Sequence, residues 1–353
     1  MSIKQNTLGS PITFSGKGLH TGKQVTMTVS PAPENHGIVF RRIDLEGAPS
    51  IPALCEYVCD TSRGTTIGVD EARVSTIEHV MSALWTLGVD NALIDINAPE
   101  TPILDGSAKA YAEEILRVGL VEQSADRKYY EVTEKQVYAI PEKGVMLAIY
   151  PSDEYTASVH IDFNSKIIGN QYATFTPEDN SSEKIAPNRT FVFLHEIEAL
   201  AAMGLVKGGD VDNAIVIVEH PVTEEQVAQI SALFNVPALK VREDGYLSNL
   251  VLRFPNECSR HKLLDLIGDL RLSGGFLKEG YSRNGRTRHQ YTSSKENKRK
   301  YIILWQLFIL WQLYIRTQSS VRMLRSDHTL TLRSTWRSAT AARSFLMQQS
   351  STM

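Results

Sequence analysis

Residues 74–88, VSTIEHVMSALWTLG, constrain this chain more than any other stretch. Ile77, Val80, Met81, Leu84 and Leu87 fall at i, i+3, i+4, i+7 and i+10, one apolar face of a helix. Ser75 with Glu78 three residues later has capping-box spacing, and Gly88 supplies a stop. At about 100° per residue, His79 lies far around from the apolar face. A histidine satisfied within the helix's own core would lie on it. The helix therefore anchors one side and offers Glu78 and His79 on another.

A second segment follows the same plan. NECSRHKLLDLIGDL (256–270) sets Leu263, Leu266, Ile267 and Leu270 on one face. His261 and Asp265 are i, i+4 and stack on the opposite face, and Asp269 extends that stripe by a turn. A solvated polar face has the same spacing, so the pair alone does not decide. Two such helices packed across a domain interface would unite His79, His261 and Asp265. Two histidines and a carboxylate, with one position left open, make a catalytic zinc set. Glu78, beside one of them, is then placed to take a proton from water.

Around these helices the chain reads as strands. A length of 353 residues, 42% hydrophobic, suits about two domains, each with its own core. Residues 3–30 alternate, and GKGLHTGK (16–23) interrupts them as a hairpin loop. Ala92–Ile96 is a strand, followed by a Pro-rich loop and a helix from an N-cap at Ser107 to Gly119. EQSADRK (122–128) is polar and reads as a linker. Strands resume in YYEVTEKQVYAI, KGVMLAIYP and TASVHIDF. Residues 191–203 read as a helix, GLVKGGD (204–210) as a loop, AIVIVEH as a buried strand, and 220–249 as a helix with a short strand. Cys55, Cys59 and Cys258 form no disulfide framework, and the spacing of the first two is weak evidence for metal. MSIKQNTLG lacks the apolar run of a secretory signal, so we expect a cytoplasmic protein.

Several motifs, in order, resemble one family: GLHTGK (18–23), STIEHVMSAL (75–84), ILDGSA (103–108), NRTF (188–191) and RHKLLDLIGDL (260–270). Together they are similar to UDP-3-O-acyl-N-acetylglucosamine deacetylase, a zinc amidase of lipid A synthesis, in the subtype fused to a 3-hydroxyacyl-acyl-carrier-protein dehydratase. The resemblance implies an α+β fold. It has two domains of similar fold, each a sheet layer and a helix layer, with the helices facing each other around the site. We expect domain I at 1–125, an incomplete domain II at 126–280, and an aberrant, unstructured tail at 281–353. The resemblance implies Zn2+ on His79, His261 and Asp265, with Glu78 as general base. Thr190 would hold the developing oxyanion. Leu19, His20, Phe191 and Lys262 would contact substrate. Asp269 would orient a histidine of a later Gly-His-x-x-Asn motif.

That motif is missing after residue 270. The tail is also unlike a globular segment: it has no Pro after Pro255, no Ala from 271 to 338 and no Gly from 286 to 353. YIILWQLFILWQLYI (301–315) is apolar without period and shorter than the roughly 20 residues that span a bilayer. Read one base forward, the codons of Asn284–Tyr291 are compatible with Thr-Ala-Gly-His-Ala-Ile-Asn-Thr, which contains the motif. We infer a reading-frame slip between about Gly274 and Tyr281. The slip also accounts for residues 271–353 carrying 15 Lys/Arg and 3 Asp/Glu behind an acidic body, residues 1–270, of 22 and 37. No nucleic-acid partner and no integral membrane span are expected; transient contact with the inner-membrane surface is. The expected reaction is hydrolysis of the N-acetyl group of UDP-3-O-acyl-N-acetylglucosamine to acetate and a free amine. The rivals are a zinc- or ligand-binding form without efficient turnover, and a membrane- or nucleic-acid-binding protein led by the basic tail.

Overall fold

The apolar alternation of Val25, Met27 and Val29 makes the second strand of a five-stranded sheet, beside the central Ala92–Ile96. Its order is Ile12–Lys17, Gln24–Pro31, Ala92–Ile96, Ile38–Arg42 and Ser50–Pro52. Neighbours are antiparallel except Ile38–Arg42 with Ala92–Ile96. GKGLHTGK closes the first hairpin, with Lys17 paired to Gln24. Helices α1 (Glu78–Thr86) and α2 (Lys109–Val118) share a core with this sheet, Phe14 lying edge-on to Tyr111. A three-stranded sheet, Val58–Asp60, Thr66–Val69 and Ala72–Val74, leads directly into α1.

This computed structural model describes residues 3–279, apart from 133, 142–143, 153–154, 177, 198–211, 234–238 and 249. The expected tail at 281–353, its apolar run and the loop at 204–210 lie outside the described residues. The chain divides into units Met1–Thr317 and Gln318–Met353, and every described residue belongs to the first.

The second half is built from strand pairs. Gln136–Ile140 with Val145–Ile149 and Ala157–Asp162 with Asn170–Phe175 are antiparallel. Tyr129–Val132 with Phe276–Glu279 and Phe191–Phe193 with Ile215–Ile217 are parallel. Its described helices include α3 (Ser181–Lys184), α4 (Glu224–Leu233) and α5 (Glu257–Leu270). Leu263, Leu264, Ile267 and Leu270 of α5 join the same core as Val80, Met81 and Leu84 of α1. The fold is α+β, and the two helices face each other between the sheets.

Four local readings change. Helix α1 starts at Glu78, and no capping box forms. Val74 ends a strand, Ser75 donates both its N–H and its hydroxyl to the Pro99 carbonyl, and Thr76 takes a left-handed φ of 58°. This cross-chain pairing holds residues 74–76 out of the helix. Ser107 lies one residue before the N-cap, Ala108, although its hydroxyl still accepts the Lys109 N–H at 3.2 Å. The polar stretch read as a linker is largely strand, Leu120–Asp126, laid against Lys4–Leu8. Of the helix expected at 191–203, Phe191–Phe193 is strand, because it pairs with the buried Ile215–Ile217, 194–197 are helical, and 198–203 lie outside the described residues. Gly88 and Gly119 do end α1 and α2, with φ of 79° and 69°.

Candidate active site

The first turn of α1 meets the middle of α5. His261 Nε2 stands 3.4 Å from Asp265 Oδ1, and His79 Nε2 stands 3.8 Å from the same oxygen. The imidazoles lie edge-on, centroids 5.1 Å apart. One donor atom from each of the three residues falls within 4.8 Å of the others, and all three side chains are buried. Zinc–ligand bonds of about 2.1 Å in a tetrahedron put donors about 3.4 Å apart, so the set is near the spacing such an ion needs.

The protonation states also suit a cation. Burial, with His261 adding to it, pushes the His79 imidazole down to about 4, against the pull of Asp265. Burial lowers His261 too, so both rings are neutral at pH 7. His261 Nδ1 lies 3.1 Å from the Asn188 carbonyl oxygen. A carbonyl only accepts, so that nitrogen carries the hydrogen, and Nε2 keeps a lone pair on the Asp265 side. Burial works against the Asp265 charge, but His261, Lys262 and His79 outweigh it and hold the carboxyl below its usual range. Lys262 Nζ donates to Asp265 Oδ2 at 3.3 Å.

Two more carboxyls crowd the same place. Burial, then Asp265 and Asp269, drives Glu78 well above the ordinary carboxyl range. Burial pushes Asp269 up to about 7, with Asp265 adding and the Thr65 hydroxyl and Lys262 opposing. Thr65 serves both: its N–H donates to Glu78 Oε2 at 2.9 Å, its hydroxyl to Asp269 Oδ1 at 2.6 Å. Three buried carboxyls beside one lysine do not all ionise readily, and two of them hold their protons more tightly; a divalent cation there would favour their charged forms.

The remaining predicted residues surround this cluster unequally. The Phe191 ring lies 6.4 Å from that of His261, with Lys262 Nζ 5.2 Å over it. Thr190 is half-buried, and its N–H is spent on the Gly106 carbonyl, so only its hydroxyl is left to offer. His20 reaches the cluster indirectly: its Nε2 lies 3.4 Å from the Arg63 carbonyl, beside the Gly64–Thr65 segment that holds Glu78. Leu19 precedes it, half-buried.

Four residues escaped the sequence reading. Thr65 bridges Glu78 and Asp269. Asn188 acts through its backbone carbonyl, held in place because neighbouring Arg189 is ion-paired at 2.9 Å to buried Glu257, in the first turn of α5. Glu100, fully buried, accepts the N–H groups of His20 and Thr21 and the hydroxyls of Thr21 and Thr76, tying GLHTGK to the approach to α1. Gly268 lets α5 touch α1. Asn188 lies inside NRTF and Gly268 inside RHKLLDLIGDL, but neither motif singles them out.

With this geometry established, comparison with known proteins is direct. A family model for UDP-3-O-acyl N-acetylglycosamine deacetylase matches residues 5–234 and 235–294. The chain belongs to that family. The bifunctional enzyme LpxC/FabZ of Bacteroides thetaiotaomicron is 46% identical over 276 residues, 78% of this chain and 60% of the relative. Its counterpart from Porphyromonas gingivalis is 46% identical over 275 residues, again 78% and 60%. The UDP-3-O-acyl-N-acetylglucosamine deacetylase of Teredinibacter turnerae is 41% identical over 278 residues, 78% of this chain and 83% of the relative. The chain thus spans about three fifths of the length of the two bifunctional relatives. Among the described residues, no helix of this deacetylase-family chain is long and apolar enough to cross a membrane.

Proposed function

We propose that the chain is a zinc-dependent amidase that removes the N-acetyl group of UDP-3-O-acyl-N-acetylglucosamine, giving acetate and UDP-3-O-acylglucosamine for lipid A synthesis. The observation that carries this reading is the convergence of His79, His261 and Asp265 from two facing helices, with Glu78 adjacent. Membership of the family and the names of its relatives support the substrate. The three donors would hold the zinc, which when bound would polarise the amide carbonyl and make a nearby water more acidic.

The chain's own groups supply the rest. Glu78 accepts the water's proton; its raised affinity for a proton suits a base that must also pass it on. The Thr65 N–H fixes which carboxylate oxygen faces inward. The Thr190 hydroxyl donates to the oxyanion as the carbonyl carbon becomes tetrahedral. Lys262 and the Phe191 face line the sugar side, and Leu19 and His20 border the opening. Asp269 has its hydroxyl donor in Thr65 and keeps a second oxygen for an imidazole partner. We assign residues 1–125 and 126–280 to two domains, and place the reaction in the cytoplasm, at the inner-membrane surface where a lipid-bearing nucleotide sugar is met.

The test is zinc content and deacetylation of UDP-3-O-acyl-N-acetylglucosamine by the full chain. About one zinc per chain is expected, with His79→Ala and His261→Ala each binding far less. Undiminished metal in both variants would overturn the ligand set. The missing Gly-His-x-x-Asn motif favours a second reading, a chain that binds zinc with little turnover; bound zinc without acetate release would select it.

A further inference from the structure

A buried cation lies beyond the reacting groups. Arg271 follows α5 in the short turn Arg271–Ser273 and is 3% exposed. Its Nη2 donates to the Asp90 carbonyl oxygen at 2.8 Å and lies 3.5 Å from that of Val89, just past the far end of α1. Arg127 completes the arrangement: its Nη2 donates to the Gly88 carbonyl at 2.6 Å and to the Asp90 carboxylate at 2.8 Å. The Phe276 ring lies against both guanidinium groups, 4.1 Å from Arg127 and 5.4 Å from Arg271, and stacks on Trp85 of α1. Two arginines thus hold the carbonyls of residues 88–90, just beyond the C-terminal end of α1, where the helix dipole favours positive charge.

Burying a cation is costly, and the chemistry proposed above makes no use of this one. Its geometry suggests a reason. Helices α1 and α5 meet tightly where Gly268 lies under the Glu78 carbonyl. That contact fixes the distance between them but leaves a pivot, because the apolar packing around it is non-directional. Arg271, three residues beyond Gly268, makes directional bonds at the other end of α1. Contacts at two separated points set an angle as well as a distance. Functional constellations tolerate only about 0.5 Å or 10–20°.

We propose that Arg271 is a positioning residue for the metal centre: by tying the end of α5 to the end of α1, it sets the crossing of the two helices and so the placement of His79 against His261 and Asp265. This rests on the metal reading above. The experiment compares the full chain with Arg271→Met, Arg271→Lys and Ile51→Ala, a core truncation in the edge strand Ser50–Pro52. Zinc affinity is measured by chelator competition, the Co2+ derivative by its visible d–d spectrum, and stability by urea unfolding of the metal-free proteins.

Arg271→Met should weaken zinc binding by roughly 10–100-fold, as loss of supporting contacts around a metal does, and alter the Co2+ bands. Arg271→Lys should show a smaller shift in the same direction, since the ammonium keeps the charge and loses the fork. Ile51→Ala should lower the urea midpoint and leave both metal readouts unchanged. The proposal falls if the Arg271 variants bind zinc and colour with Co2+ as the parent does, or if Ile51→Ala moves both readouts equally at the same loss of stability. If Arg271→Met does not fold, Arg271→Lys decides by the same criteria. A parent chain that binds no zinc, or keeps it in His79→Ala, overturns the metal reading and this proposal with it.

Discussion

A Cβ placed on Gly268 would stand 2.1 Å from the carbonyl oxygen of Glu78. No other residue type fits there without parting the two helices. In an ordinary helix interior, Gly→Ala stabilises by about 1 kcal/mol. Here we expect the opposite sign: Gly268→Ala should cost about 1–3 kcal/mol by overpacking and weaken metal binding in step. Urea unfolding with a zinc titration checks both. A gain in stability with zinc affinity intact would show that the contact is slack.

On the proposed reading, Glu78 moves a proton and holds no ion. Glu78→Gln should retain about one zinc per chain and lower turnover by about 10²–10⁴, the usual worth of a positioned acid or base. Loss of zinc in that variant would mean that Glu78 is a ligand.

The pH dependence of the metal-free protein follows from Asp269. Its folded carboxyl titrates near 7, against an ordinary value of 3.8, with Glu78, Asp265 and Lys262 around it. Below about pH 4 it is protonated folded or unfolded, so its charge costs nothing. As pH rises towards 7, the unfolded chain releases the proton while the folded one retains it, and stability falls. Above 7 both states are charged and the cost levels off. Asp269→Asn keeps an acceptor for the Thr65 hydroxyl and should flatten that slope. Parallel urea midpoints for parent and variant from pH 4 to 7 would contradict it.

What could be read ahead of the structure divides by range. The apolar face of α1 and the His261–Asp265 pair of α5 follow from local spacing, which a helix turns directly into a face. The start of α1 differs from its local signal because Ser75 bonds to Pro99, 24 residues away, and no capping pattern reveals that competition. The strand at Leu120–Asp126 alternates little, being exposed or half-exposed throughout, so its polar composition imitates a linker. Phe191–Phe193 is too short to show a period. In the site, side-chain chemistry pointed to His79, His261, Asp265 and Glu78. Asn188 acts through a carbonyl that every residue carries, and Thr65 matters only because two helices meet beside it.

The inferred frame slip has a test independent of the protein. Resequencing the gene across codons 270–300 should reveal one inserted or missing base between the codons of Gly274 and Tyr281. A chain restored to frame should carry Gly-His-x-x-Asn and deacetylate the substrate about 10²–10⁴ times faster than the present one. Equal rates would show that the histidine is dispensable here.

The hydrogen bond from Thr65 to Asp269 joins residues 204 positions apart. His79 is separated from its partners on α5 by nearly as long a stretch. At about 5–20 residues per second, a ribosome completes α1 some ten seconds or more before α5 exists. During that interval Glu78 and His79 face nothing that answers them. Closing so large a loop comes late and adds an entropic cost of its own to forming the centre. An ion shared by α1 and α5 would act as a clasp on a finished protein and give little guidance to a growing one. A nascent chain stalled before residue 257 holds half a centre, and no concentration of metal completes it.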